Sequence, residues 1–95
     1  MLLKQAYLER AIAEVEDLTA RVALLKSRIA KQKLSAKLEY YSELEYVRNR
    51  FAEYKRCIED LEDADDQHLE AAEQAVELVW KDLKDTIDVL ISALP

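Results

Sequence analysis

An all-α fold is what this chain predicts, and three observations predict it. Its 95 residues contain no glycine, and the single proline is Pro95. Nothing inside the chain therefore forces the backbone out of a helix, where Gly costs about 1 kcal/mol and Pro about 3 kcal/mol relative to Ala. The apolar residues step by three and four, as one face of a helix requires. Charged residues make up 36% and hydrophobic residues 51% of the chain. With Ala, Leu, Glu, Lys and Arg prominent, that is a long-helix or coiled-coil composition.

The first element follows from Leu8, Ala11, Val15, Leu18, Val22, Leu25 and Ile29. These occupy the a and d positions of three successive heptads. A second seam comprises Tyr40, Leu44, Val47, Phe51, Tyr54, Ile58 and Leu61. Extending the first seam places a core position at residue 43, whereas the second uses Leu44. The register slips by one residue between 30 and 39. Residues 31–41 (KQKLSAKLEYY) hold no breaker, and a slip can be absorbed by local unwinding of a continuous helix. The pattern thus predicts one helix over about 3–61, roughly 87 Å long at 1.5 Å per residue. A bend at 31–36, giving a monomeric three-helix bundle, is the alternative.

An acidic segment from Glu59 to Asp66 then interrupts the apolar pattern. Asp is a modest helix former and a strong N-cap, so a turn is expected at about 62–66, with Asp65 or Asp66 capping a helix over about 66–94. The third block repeats every eleven residues: Leu69, Trp80 and Ile91; Ala72, Leu83 and Leu94; Val76 and Ile87; Val79 and Leu90. Eleven residues in three turns keep an apolar stripe nearly straight along a helix. The stripe is wide enough to meet two neighbours.

These lengths imply an assembly. A returning helix can cover the second seam, with Leu69, Val76, Trp80, Leu83, Ile87 and Leu90 packing on Tyr40 to Leu61. Leu8, Val15, Leu18, Val22, Leu25 and Ile29 would then stay bare as a self-association seam, and an exposed stripe of that size marks an interaction site. An antiparallel dimer forming a four-helix bundle would bury it.

Charge is unevenly placed. Residues 1–37 carry eight Lys/Arg and four Asp/Glu, a net of +4, while residues 38–95 carry six and sixteen, a net of −10. An overall −6 argues against a nucleic-acid partner, whose affinity comes from neutralised phosphates. The basic run Arg21, Lys26, Arg28, Lys31, Lys33 and Lys37 is a candidate for phosphates or an anionic surface. Peripheral lipid binding through the third block is a rival reading, but its polar face is mostly acidic, so a membrane is not the expected partner. No uncharged run reaches the ~20 residues of a membrane span.

His68 lies near Asp65, Asp66 and Glu70, yet one histidine without further ligands does not make a metal site. Cys57 has no second cysteine to bridge, which fits a reduced, cytoplasmic setting, and beside Ile58 it reads as a small half-buried apolar group. The aromatics Tyr40, Tyr41, Tyr46, Phe51, Tyr54 and Trp80 read as core. No nucleophile–base constellation or Gly-rich phosphate loop is present. Catalytic, cofactor-binding and metal residues are therefore expected to be absent.

Three segments carry a resemblance: Ala36-Lys37-Leu38-Glu39-Tyr40-Tyr41, then Leu44-Glu45-Tyr46-Val47-Arg48, then Trp80-Lys81-Asp82-Leu83-Lys84. Together with the acidic turn, their order is similar to that of a family of small, uncharacterised bacterial coiled-coil proteins often labelled as stress-response proteins. The resemblance spans roughly residues 8–94, and Leu69 stands where that pattern has its first Trp. It implies the helical layout and a stress-linked role, and it brings no catalytic residues. The expected function is non-enzymatic: self-association, scaffolding or binding of another helical protein, including as its chaperone.

Overall fold

The computed structural model describes residues 2–94, and every element among them is an α-helix: α1 Leu2–Ala30, α2 Leu34–Asp63 and α3 Leu69–Ala93. Contacts far apart in sequence fix their directions. Lys4 meets the end of α2 at Ala64, Tyr7 and Arg21 reach Glu77 and Asp88 in step along α3, and Tyr46 meets Asp82. So α1 and α3 run parallel, with α2 antiparallel to both, in a rod of 50 × 18 × 16 Å.

The expected helix over 3–61 is corrected to two helices joined by Lys31, Gln32 and Lys33. The bend foreseen at 31–36 is the course the chain takes, without glycine and without positive φ at any described residue. The last turn of α1 tightens, with the Lys31 and Gln32 amides donating to the Arg28 and Ile29 carbonyls at 3.3 and 3.0 Å. Lys33 then turns extended (φ −64°, ψ 154°), and α2 starts.

Burial explains why a sequence free of breakers breaks here. Folding back encloses Leu18, Leu25 and Ile29, each at most 1% exposed. Burying a large aliphatic side chain stabilises by about 1.5–3 kcal/mol, so these three together contribute roughly 5–9 kcal/mol. Interrupting the helix replaces a few backbone hydrogen bonds, each worth about 0.5–1.5 kcal/mol net. Burial wins. The one-residue slip between the two seams is the sequence trace of this turn.

The second turn lies slightly later than the expected 62–66. Helix α2 ends at Asp63 and α3 begins at Leu69. Asp65 does stabilise the entry to α3, though not as its N-cap. Its Oδ1 accepts the His68 backbone N–H at 3.0 Å and lies 2.6 Å from His68 Nδ1. Lys4 closes the far side, its Nζ donating to the Glu62 and Ala64 carbonyls at 2.7 and 2.8 Å. A cation on the last carbonyls of a helix satisfies groups that have no partner within the helix and complements its dipole.

One core runs the length of the rod. From α2 it takes Leu44, Val47, Phe51, Tyr54, Ile58 and Leu61, from α3 Val76, Val79, Leu83, Ile87 and Leu90, and just beyond α3 Leu94, with Tyr40, Leu69, Ala72, Trp80 and Ile91 packed at its edge. The eleven-residue stripe thus meets two neighbours, as its width predicts. The reading of the first seam as a free self-association surface is corrected. Leu18, Leu25 and Ile29 lie inside the chain's own core, and Leu8, Val15 and Val22 pack against it. Because α1 folds back beside α2, the third block covers both seams at once. That also removes the free apolar face on which lipid binding by the third block depended. No helix among the described residues is long and apolar enough to cross a membrane.

Candidate functional site: two outward faces of the bundle

Packing ties down a minority of the polar side chains. Tyr46 Oη and Arg50 Nε both donate to Asp82 Oδ2 at 2.8 Å, and Arg50 Nη1 donates to Glu53 at 2.7 Å. The Arg50 guanidinium, and then the Tyr46 hydroxyl, hold the Asp82 carboxyl below the usual carboxylate range. His68 and Asp65 form an exposed pair at the acidic turn, and the hydrogen bond from His68 lowers the Asp65 carboxyl. Among the described residues no three His, Cys, Asp or Glu side chains gather to hold a metal ion. Cys57 is half-buried in a groove with Asp60, Asp63 and four alanines, and burial pushes its thiol up.

A polar cluster joins the three helices near the acidic end. Tyr7 Oη lies 2.7 Å from Glu77 Oε1, to which it donates, and 3.1 Å from the Glu73 carbonyl. Trp80 Nε1 donates to Glu14 Oε2 at 3.1 Å. Tyr54 is 1% exposed, and burial, followed by the Glu14 and Glu77 charges, pushes its phenol up to about 12. The cavity between these groups measures about 10 Å³, which is room for no more than one water. Both carboxylates at its wall are engaged by donors, so the cluster orients side chains and offers no space to a substrate.

Two outward faces remain. The first is a shallow groove on α3 beside the start of α1, where Tyr7, Leu78 and Trp80 meet under Glu70, Glu73, Gln74, Glu77 and Lys81. Leu78 is 68% exposed, and Glu73 Oε1 is buried without a hydrogen-bond partner among the described residues. The groove is open to solvent, with about 600 Å³ of space over its floor.

The second is the tip around the α1–α2 turn. Leu34, Leu38 and Tyr41, spaced four and three residues apart, share one face of α2. They are 72%, 65% and 48% exposed. Tyr41 borders a groove with Lys26, Ala30, Leu44, Glu45 and Arg48. Of the six cations in the basic run, Arg21 is drawn to Asp88 at 2.7 Å and Asp17 at 3.1 Å. The other five cluster at the tip, and none of them forms an ion pair among the described residues.

The sequence reading missed Tyr7, Lys4 and Glu14, whose partners lie 58 to 70 residues away. It also passed over Leu34, Leu38 and Leu78. Their signal was available as phase: each is apolar yet lies off the seam of its own helix. No family model matches the chain, nor does any curated protein or solved structure.

Proposed function

We propose that the protein is a non-enzymatic helical interaction module that receives an amphipathic helix of a partner on its Tyr7–Leu78–Trp80 groove. The observation that carries this reading is an exposed apolar floor under an acidic rim. A helix laid in such a groove would bury its apolar face on Leu78 and Trp80. Lysines or arginines beside that face would meet Glu70, Glu73 and Glu77. Self-association, expected first through the Leu8–Ile29 seam, would have to use this or another outer face. The cytoplasmic setting rests on the lone Cys57, and the stress-linked role on the sequence resemblance.

Trp80 is the only tryptophan and lies in the groove, so it is a built-in reporter. Titration with a synthetic Lys/Leu amphipathic helical peptide should shift Trp80 emission saturably. Leu78→Glu should weaken binding at least about tenfold, since burying an exposed leucine contributes about 1.5–3 kcal/mol and about 1.4 kcal/mol is tenfold in affinity. Analytical ultracentrifugation of the protein alone distinguishes a second copy from a foreign helix. An unchanged Trp80 signal at millimolar peptide, or full binding by Leu78→Glu, would refute the groove reading.

A further inference from the structure

We propose that the α1–α2 tip is a docking site for anionic lipid surfaces, with Leu34 and Leu38 entering the headgroup boundary and the surrounding lysines meeting lipid phosphates. This surface lies at the opposite end of the rod from the groove, and the proposal stands independently of it. It also differs from lipid binding by α3, whose apolar face is spent inside the bundle.

Local charge carries the argument. Residues 26–38 contain five Lys/Arg and no Asp or Glu, and residues 89–94 contain no charged residue at all. The two segments lie together at this end, where Tyr40 Oη approaches the Ala93 carbonyl at 3.5 Å. The turn itself is thus a cationic and apolar cap, bounded further along the helices by Glu39, Glu43 and Asp85, the last two beside Val89, which is 67% exposed. The net charge of −6 does not govern what this end attracts. From Lys37 to Glu62, α2 runs about 37 Å at 1.5 Å per residue, several times the screening length of ~8 Å at physiological salt. Near an anionic surface the tip is attracted while the acidic turn is beyond reach, so the rod stands with its tip down.

Shape and chemistry select the occupant. Leu34 and Leu38 project into solvent where α1 turns into α2. Tip against tip, a second copy opposes like charges; tip against its acidic groove, it makes a head-to-tail contact that propagates into chains and would show as mass rising with concentration in sedimentation. A nucleic acid would neutralise the lysines but leave Leu34 and Leu38 in water. A fluid anionic surface takes both, since interfacial binding combines buried apolar side chains with cation attraction, worth about fivefold in affinity per Lys or Arg near the surface.

The test is co-sedimentation of the full chain with phosphatidylcholine vesicles, with and without one-third phosphatidylserine. Binding is expected only with phosphatidylserine and should be lost at high salt. Lys33→Gln with Lys37→Gln should weaken it about 25-fold, from two cations at about fivefold each. Leu34→Ser with Leu38→Ser should weaken it at least about tenfold. All four positions lie outside the core, so circular dichroism should show both variants folded. As a second readout, Leu38→Trp in a Trp80→Phe background should shift its emission to the blue on vesicles. Absence of binding at low salt overturns the proposal. So does binding that the leucine pair leaves unchanged, or equal affinity for a soluble polyanion such as heparin, since either reduces the tip to a charge patch.

Discussion

Leu24 and Leu25 are adjacent in sequence and opposite in fate, which makes them a sharp probe of how α1 packs. Leu25 is 0% exposed and Leu24 44% exposed. Leu25→Ala removes three carbon groups at about 0.8 kcal/mol each and leaves a cavity, for a total near 3 kcal/mol within the roughly 2–5 kcal/mol seen for such truncations. A chain of this length has a stability of roughly 5–14 kcal/mol, so the loss is a large fraction of the whole. With a urea slope of about 1–1.5 kcal/mol per molar, the midpoint should fall by about 2–3 M, and Tm by about 15 °C. Leu24→Ala loses a little over half as much burial, leaves no enclosed cavity and gains helix propensity, so its cost should stay at about 1 kcal/mol. Far-UV circular dichroism against urea reads both. If Leu25→Ala were as mild as Leu24→Ala, α1 would not be packed on α2 and α3, and the bundle described here would be wrong.

Three further outcomes follow from named contacts. Lys4→Met should cost about 1 kcal/mol in urea unfolding, because two carbonyls at the end of α2 lose their charged donor; no change would mean water caps them equally well. The folded Asp82 carboxyl titrates below its unfolded value, so the stability it adds is present above about pH 4 and is lost as the pH falls through the folded value. Asp82→Asn should therefore flatten the acid-side decline of the urea midpoint, and an unchanged decline would remove the Arg50–Asp82 pair from the account. Tyr54 has the opposite sign. Its phenol is raised from 10.0 to about 12, so its contribution is complete below about pH 10 and is lost as the pH climbs through the folded value. Tyr54→Phe should make the alkaline loss of stability shallower, with one fewer late-titrating phenolate by absorbance.

The sequence carried the periodic part of this fold. Both seams and the eleven-residue repeat lie in the core, because burial follows the helical period and the period is written in the apolar residues. The break at Lys31 to Lys33 was legible only as the slip from residue 43 to Leu44. No turn residue announces it, since tertiary burial rather than local propensity ends α1. The same cause misassigned Leu8, Val15, Leu18, Val22, Leu25 and Ile29 to a second copy: a seam shows that it must be covered, not by what. The outward faces were legible in part. The basic run was visible, but separating Arg21 from its neighbours required knowing that Asp88 stands across from it. Lys4, Tyr7 and Glu14 were not legible at all, since their roles depend on residues brought near only by two reversals of the chain.

The central claim is that the chain closes its own core by turning at residues 31–33. Small-angle X-ray scattering on a monodisperse sample tests this most directly. The account predicts a monomer whose radius of gyration lies near the 15.4 Å of the Cα trace plus a hydration layer, with a longest dimension close to the 50 Å rod and its side chains. A particle of twice the mass with a longest dimension approaching the roughly 87 Å of an unbroken 3–61 helix would contradict it.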